Sequence, residues 1–127
     1  MSKKIIKPVK APQPIGPYNQ AVVVGNLVYT AGQIPIDPKT NNIVGNNIAE
    51  QTRQVLTNLK NLLEEAGSSL EKAVKATVFL KDMNDFQGMN TVYAEFIKAE
   101  TAPARSTVQV ARLPKDAMVE IEMVAIL

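Results

Sequence analysis

The sequence contains neither cysteine nor histidine among its 127 residues. Without cysteine the chain forms no disulfide and has no thiolate nucleophile, and without histidine it cannot build a Ser-His-Asp triad. Zinc sites that need either residue are excluded as well. A metal would have to be held by carboxylates alone, and the sequence shows no tight cluster of Asp and Glu. We therefore expect no metal and no other cofactor, and any acid–base catalysis falls to Glu, Asp, Tyr, Lys or bound water.

Aromatic residues are also scarce, with three tyrosines, three phenylalanines and no tryptophan. The net charge is only +2, and the lysines near the N-terminus are Lys3, Lys4, Lys7 and Lys10. Nucleic-acid-binding surfaces usually carry a denser basic patch with aromatic residues interleaved, and no aromatic residue lies among these lysines. We interpret residues 1–14 as an extended, solvated basic segment and do not expect nucleic acid as a partner.

Long apolar runs are absent too. No stretch reaches the roughly 18 apolar residues of a membrane-spanning helix, and the N-terminus lacks the apolar core of a signal peptide. We therefore expect a cytoplasmic protein without a membrane partner. Apolar residues still make up 46% of the chain, which is enough for one hydrophobic core, and the length fits a single domain over residues 1–127.

Hydrophobic periodicity predicts secondary-structure elements in the order β-β-α-β-α-β-β. The predicted strands are 21–24, 27–31, 74–80, 105–112 and 117–127; the first helix is 47–66, and the second begins at Asp82 or Asn84 and ends before Pro103. Asn47 and Glu50 have the spacing of an N-cap and its N3 partner, and Gly67 is a helix stop. This order is typical of an α+β fold in which a mixed sheet carries both helices on one face.

The two C-terminal strands flank a turn of sequence Leu-Pro-Lys-Asp at 113–116, and we expect them to pair as a hairpin. Arg112 then faces Ala117, and the alternation of side chains places Arg105, Thr107 and Glu120 on one face. The opposite face would carry an apolar set: Ser106, Val108, Val110, Val119, Ile121 and Met123. From spacing alone, the polar face is either a site or a solvated surface with an exposed ion pair, which stabilises little.

With both helices on one face, the predicted sheet leaves its other face uncovered. That face combines small and uncharged side chains with an arginine and a glutamate. Faces of this kind often contact another subunit. The pattern therefore predicts a homo-oligomer that closes on the sheet.

Several segments in order along the chain resemble the YjgF/RidA family. They are GPYNQAV at 16–22, YTAGQIPIDP at 29–38, Gln51 with Asn58 and Leu59, AGSSLEKAVKATVFLKDMNDF at 66–86, MNTVYAEF at 89–96 and PARSTVQVARLPKDAMVEIEMVA at 103–125. The resemblance covers about 110 residues. It implies a chorismate mutase-like α+β fold and a homotrimer with clefts between subunits. It also implies hydrolysis of 2-imino acids, and of the enamines from which they form, to 2-keto acids and ammonia. Such substrates are short-lived products of pyridoxal-phosphate dehydratases.

The resemblance also implies roles for individual residues. The carboxylate-binding arginine of the family corresponds to Arg105, and its water-positioning glutamate to Glu120. The remaining substrate-binding positions are the cleft residues Tyr18 and Asn90, the backbone-donor stretch Thr30, Ala31 and Gly32, and the position after the Arg-Ser pair, Thr107. Tyr18 could instead pack near a Gly-Pro turn, and Asn90 could be a helix-surface residue.

Two positions depart from the pattern of the family. Thr107 stands where many members have cysteine, and Asn19 stands where many have serine. Thr107 excludes a thiol from catalysis and leaves the substrate preference open. Two alternatives to the enzyme remain: a trimer that senses a small keto or amino acid without converting it, and an RNA-directed translation inhibitor or endoribonuclease.

Overall fold

The computed structural model describes residues 2–127, which form one six-stranded mixed sheet and two α-helices. The elements are β1 (Lys4–Ile6), β2 (Ala21–Val24), β3 (Leu27–Thr30), α1 (Ile48–Glu65), β4 (Ala73–Leu80), α2 (Phe86–Phe96), β5 (Ala104–Gln109) and β6 (Val119–Ile126). In the sheet, the strands lie in the order β1-β2-β3-β6-β4-β5. Strands β4 and β5 are parallel, and the other neighbours are antiparallel. The predicted α+β class, a mixed sheet with two helices, is confirmed.

The N-terminal segment contains a strand that the sequence interpretation missed. Of residues 1–14, Met1 lies outside the described residues, and Lys4–Ile6 pairs with β2 as an edge strand. Farther along, the backbone N–H of Val9 donates to the Glu65 carboxylate at 2.8 Å. The lysines of this segment are exposed and part of it is extended, as the sequence interpretation expected. It is not a free tail, however, because backbone pairing and the Glu65 carboxylate fix it.

Helix α1 begins and ends where its capping residues predict. The side chain of Asn47 accepts the N–H of Glu50 at 2.9 Å, and the amide of Asn47 donates to the Glu50 carboxylate at 2.6 Å. After the last turn, Gly67 has a φ of 91°, a left-handed conformation that favours glycine. Ser68 N–H then donates to Leu63 C=O at 2.8 Å, which completes a Schellman stop.

The core lies between one face of the sheet and the two helices. The largest contribution comes from α1, which buries Val55, Leu56, Leu59, Leu62 and Leu63 completely. Against them pack alternate residues of the central strands and α2: Ala76, Val78, Leu80, Met89, Tyr93, Val119, Ile121, Met123 and Ala125. Each buried leucine-sized side chain contributes about 1.5–3 kcal/mol. This core fixes which face of each strand points inward.

The predicted C-terminal hairpin was wrong. Strand β6 lies between β3 and β4, whereas β5 pairs in parallel with β4 at the edge of the sheet. The turn at 113–116 exists, with Lys115 and Asp116 at positive φ, but it does not join paired strands. In the observed order both edges of β6 have a hydrogen-bonded neighbour, and Val119, Ile121 and Met123 are buried. The local turn sequence carries no information about these distant partners.

The observed register separates the two residues that the hairpin had placed together. Arg105 pairs with Ala76, and Ala76 pairs with Met123, so Arg105 lies on the helix-covered face. Glu120 pairs with Phe79, which pairs with Val108, and these three lie on the other face. The expectation of a shared face was therefore wrong, because inserting β4 between β5 and β6 changed the register on which it depended.

The face of the sheet opposite the helices, here called the open face, carries exposed apolar side chains. Tyr29 is 46% exposed and Val108 is 43% exposed. Val124, the partner of Tyr29, and Phe79, the partner of Val108, lie on the same face and are half-buried. Within residues 2–127, no helix has the length and apolar character needed to cross a membrane.

Candidate functional site

Arg105 lies at the edge of the sheet, where its side chain stacks on two aromatic rings of α2. The guanidinium carbon lies 4.7 Å from the centre of the Tyr93 ring and 5.7 Å from that of Phe86. Both distances fall within the range of a cation–π contact. The side chain is half-buried. Burial of this kind removes part of the water that would otherwise solvate the positive charge, so the two rings stabilise it.

Arg105 has no acidic partner among residues 2–127. The ion pairs in this part of the chain join Arg53 with Glu95, Lys60 with Glu64, and Arg112 with Asp116. A half-buried arginine without a carboxylate partner retains its planar fork of N–H donors for a ligand. The geometry therefore leaves this guanidinium without a carboxylate partner in the described residues.

Asn90 and Thr107 lie on the same side as Arg105. Phe86, Asn90 and Tyr93 have helical spacings of four and three, so Asn90 occupies the stripe of α2 between the two rings that contact Arg105. Thr107 follows Arg105 by two residues along β5, and its partner Val78 points into the core. We call these three residues, Asn90, Arg105 and Thr107, the arginine half-site. The roles that the family resemblance implies for these residues stay predictions.

Glu120 lies on the open face beside Gly32. A Cβ atom added to Gly32 would overlap the Glu120 carboxylate and would lie 2.7 Å from its Cδ. This close approach requires glycine at position 32 or a displaced glutamate. Beside Gly32, Gln33 forms a reciprocal backbone pair with Ile121, which brings the segment after β3 against β6. The sequence motif after β3 and the glutamate of β6 therefore meet at one point.

Burial raises the pKa of Glu120, and the like charge of Glu122 on the same strand face raises it further. No lysine or arginine among residues 2–127 forms an ion pair with Glu120 to oppose this shift. A carboxyl group whose pKa moves toward neutrality exchanges protons more readily near physiological pH than an ordinary glutamate does. Glu120 can therefore act as a base and then return the proton.

The three residues of the predicted backbone-donor stretch differ in the hydrogen bonds that they already make. Thr30 is buried, and its hydroxyl accepts the N–H of Met123 at 3.0 Å, so it joins β3 to β6. The N–H of Ala31 donates to Gln20 C=O at 2.7 Å. In contrast, the N–H of Gly32 has no hydrogen-bond partner within residues 2–127. Gly32 is therefore the member of the stretch whose N–H remains available next to Glu120.

Two buried glutamines hold this stretch in place, and the sequence interpretation did not identify them as part of the site. The amide of Gln33 donates to Gln20 Oε1 at 2.7 Å and also lies 3.3 Å from Ala31 C=O. In turn, the amide of Gln20 donates to Pro12 C=O at 2.8 Å. Both glutamines lie within segments that resemble the family, Gln20 in 16–22 and Gln33 in 29–38. A polar residue beside apolar ones was the sequence signal that could have identified them. Their hydrogen bonds fix the backbone on both sides of Gly32.

Tyr18 lies near Gly32, and its ring is 44% exposed. Its hydroxyl oxygen accepts the N–H of Ile15 at 3.3 Å, so the ring closes the turn that contains Gly16. Tyr18 and Gly32 also line a common cavity of about 20 Å³, which has room for about one water molecule. We call Tyr18, Gly32 and Glu120 the glutamate half-site. Within one chain it is an open surface with no substrate-sized pocket.

The predicted site residues thus fall into two groups on opposite faces of the sheet. Arg105, Asn90 and Thr107 form one group, and Glu120, Gly32 and Tyr18 form the other. Two larger grooves, of about 350 and 420 Å³, contain none of these residues. A single chain therefore does not bring Arg105 and Glu120 together, and a site that uses both residues requires a second copy.

Comparison with known proteins gives matches over almost the whole chain. A model of the family described as Endoribonuclease L-PSP matches residues 8–127. A RutC family protein of Pyrococcus abyssi is 56% identical, over 98% of each chain. A 2-iminobutanoate/2-iminopropanoate deaminase of Dermatophagoides farinae is 46% identical, over 98% of this chain and 97% of its own. The crystal structure of TdcF from E. coli with bound serine superposes with a TM-score of 0.91 at 46% identity, and the match covers 98% of each chain. The protein therefore belongs to the Endoribonuclease L-PSP family, the group of RutC and YjgF/RidA proteins that its sequence motifs resemble.

Proposed function

We propose that this protein hydrolyses 2-imino acids such as 2-iminobutanoate and 2-iminopropanoate to the corresponding 2-keto acids and ammonia. The observation that carries the proposal is Arg105, a half-buried arginine held on two aromatic rings without an acidic partner in residues 2–127. A planar guanidinium binds a planar carboxylate through two parallel hydrogen bonds. The D. farinae relative is named as a deaminase of these imino acids, and the TdcF structure contains an amino acid, serine.

The proposed site forms between copies of the chain. Arg105 and Glu120 lie on opposite faces of the sheet, and the open face exposes apolar side chains such as Tyr29 and Val108. A second copy that covers this face would remove the apolar surface from water. It would also bring the arginine half-site of one copy to the glutamate half-site of another. We propose that three copies close into a homotrimer, as the family resemblance implies, with one cleft at each interface.

The chemistry follows from these two half-sites. Arg105 binds the substrate carboxylate and thereby fixes the C=N carbon one bond away. Glu120 takes a proton from a water molecule as the water oxygen bonds to that carbon, and it passes this proton to the imine nitrogen, which becomes an amine. Glu120 then takes the proton of the new hydroxyl and gives it to the amine nitrogen; the C–N bond breaks, the carbon becomes a keto group, ammonia leaves and Glu120 is ionised again. The free N–H of Gly32 can donate to the attacking water or to the developing oxygen.

A coupled assay tests the proposed reaction. A threonine dehydratase generates the imine, and its decay to 2-oxobutanoate is followed with and without this protein. We expect the protein to accelerate the decay in proportion to its concentration. Because imines already hydrolyse in water, the decay measured without this protein gives the uncatalysed background. No acceleration over that background at micromolar protein would contradict the proposal.

Mixed oligomers test whether the site is shared between copies. We expect Arg105→Ala and Glu120→Gln to be inactive separately and to regain activity when they are co-expressed and purified together through different tags. Purification through both tags selects trimers that contain both variants, and in each of them one of the three interfaces combines an intact arginine with an intact glutamate. Recovery of roughly a third of the wild-type rate is therefore expected.

The control for this experiment is a mixture of Arg105→Ala protein carrying either tag, which cannot form an intact site and should stay inactive. Absence of recovery in the true mixture would place both residues in one chain or remove one of them from the site. Sedimentation equilibrium on the wild type provides the matching assembly measurement. A stable monomer at micromolar concentration would contradict both the trimer and the shared cleft.

The family description raises a second candidate, cleavage of RNA. The candidate site carries a single arginine together with Glu120 and Glu122 on the open face. Proteins bind phosphate backbones through several Lys and Arg side chains, and carboxylates oppose such binding. Chain composition also gives no histidine for the proton transfers of cleavage. Incubation of structured and single-stranded RNA with wild-type protein and with the Glu120→Gln variant tests this candidate, and we expect the RNA to remain intact.

A further inference from the structure

The guanidinium of Arg105 contacts both aromatic rings on one side of α2. The guanidinium carbon lies within 6 Å of the centres of both rings, at 4.7 Å for Tyr93 and 5.7 Å for Phe86. Strand β5 lies at the edge of the sheet, so its side chains have few strand neighbours to restrict them. An arginine in such a place would ordinarily sample many rotamers. The rings of Phe86 and Tyr93, on the neighbouring helix α2, restrict the rotamers of Arg105.

A stacked guanidinium differs chemically from one held by a carboxylate. The attraction of an aromatic ring acts through its face and leaves the N–H donors at the edge of the guanidinium plane. A salt bridge would use the same donors that a substrate carboxylate needs. Two rings and no acidic partner in residues 2–127 therefore orient the cation without occupying its fork.

The hydroxyl of Tyr93 adds an independent observation. The residue is 7% exposed, and its oxygen is buried without a hydrogen-bond partner among residues 2–127. An unpaired buried hydroxyl is unfavourable, so a regular hydrogen bond does not account for a tyrosine here. Burial raises the pKa of Tyr93, and the Arg105 guanidinium opposes that rise only in part, through its charge and through N–H groups that lie near the phenol oxygen without forming a regular hydrogen bond. The phenol therefore stays neutral, and the main contact with Arg105 is that of ring and cation.

We propose that Phe86 and Tyr93 are positioning residues, which hold the Arg105 guanidinium in the orientation that receives the substrate carboxylate. Neither ring needs to touch the substrate, because each acts through Arg105. This inference rests on the proposed function for the identity of the ligand, a 2-oxo or 2-imino acid. It assigns the substrate affinity of the site partly to two rings of α2, to which the sequence motifs gave no role.

Affinity for 2-oxobutanoate, measured by calorimetry on the assembled protein, tests the proposal. We expect Phe86→Leu and Tyr93→Leu each to weaken binding by about 3- to 30-fold, since a cation–π contact of this kind contributes about 0.7–2 kcal/mol. In the imine assay, KM should rise by a similar factor while kcat changes by less than about twofold, because the rings bias the free guanidinium toward its binding orientation, whereas substrate that has bound is held by the same contact with Arg105. Tyr93→Phe retains the ring, and its affinity for 2-oxobutanoate should equal that of wild type.

Two controls separate positioning from loss of structure. Val92→Ala removes a buried side chain of the same helix that is no part of either half-site, and it should lower Tm without changing the affinity. The second control adds Phe86→Leu to an Arg105→Gln variant, whose residual binding is measured by NMR titration at millimolar ligand. Because the ring acts through Arg105, the affinity should then change by less than about twofold. If Tyr93→Leu fails to fold, the half-buried Phe86 decides the question alone.

Wild-type affinity in the folded Phe86→Leu variant would overturn the proposal. An equal effect of Phe86→Leu with and without Arg105 would do the same. Wild-type protein that binds 2-oxobutanoate without accelerating imine decay would instead overturn the proposed function, and the affinity measurements would still decide the role of the rings. Wild-type protein that binds no 2-oxo acid would overturn both.

Discussion

Replacing Glu120 by glutamine is expected to reduce imine hydrolysis by about 10²- to 10⁴-fold, the usual effect of removing a positioned acid–base group. Glutamine retains the size of the side chain and one hydrogen-bond acceptor, but it cannot take a proton from water. Binding of 2-oxobutanoate should persist, because Arg105 provides the carboxylate contact. The measurement is paired: the rate of imine decay and the affinity for the keto acid, on wild type and variant.

The stability of the same variant provides an internal check. Because burial raises the pKa of Glu120 in the folded state, ionisation of this carboxyl lowers stability as the pH rises through that pKa. Glutamine carries no charge and removes this cost at neutral pH. The Tm of Glu120→Gln at neutral pH should therefore not fall below that of wild type, and lost activity cannot then be attributed to unfolding.

The matched control for Glu120→Gln is Glu122→Gln, which changes the neighbouring carboxylate on the same face of β6. Turnover at neutral pH should persist in this variant. Removing the like charge lowers the pKa of Glu120, so the acid limb of the pH–rate profile should move to lower pH. Fast decay in Glu120→Gln would exclude Glu120 as the base. Keto-acid binding by wild type without any acceleration would favour a sensor.

Replacing Arg105 by lysine is expected to reduce imine hydrolysis by at least about tenfold. Lysine retains the positive charge but loses the planar fork of donors and the stacking on Phe86 and Tyr93. The loss of one charge-assisted hydrogen bond corresponds to about 1.5–3 kcal/mol. Folding should survive, since the side chain lies at the edge of the sheet. Initial rates of imine decay at several substrate concentrations, with Tm as the control, provide the measurement.

Arg112→Lys is the matched control for the arginine substitution. Arg112 is exposed and pairs with Asp116, away from both half-sites, so its replacement should leave activity unchanged. Activity of Arg105→Lys equal to that of Arg112→Lys would make Arg105 a surface residue and remove the observation that carries the proposed function.

The sequence predicted much of the fold because its signals are local. Asn47, Glu50 and Gly67 located both ends of α1, since capping depends on residues within one turn of the helix end. Alternation in 74–80 located β4, which spans Ala73–Leu80. The short strand β1 was missed because three residues, Lys4 to Ile6, contain too little alternation to stand out among lysines and prolines.

The candidate site was predictable as a set of residues but not as an arrangement. The family resemblance selected Arg105, Glu120, Gly32 and Asn90 from motifs along the chain. Their grouping required strand pairing, and the hairpin prediction placed Arg105 and Glu120 on one face when they lie on two. The supporting contacts of Gln20, Gln33, Phe86 and Tyr93 join segments distant in sequence, so no local pattern revealed them.

The sequence by itself therefore determined the class of fold, the boundaries of α1 and the side chains available for chemistry, because propensity, periodicity and capping act over a few residues. Only the tertiary structure decided that β4 separates β5 from β6. The free energy that selects this order comes from burying α2 and the apolar faces of β4 and β6 in one core, a property of the whole chain. That order places Arg105 and Glu120 on opposite faces, and it makes a second copy necessary for any site that uses both residues.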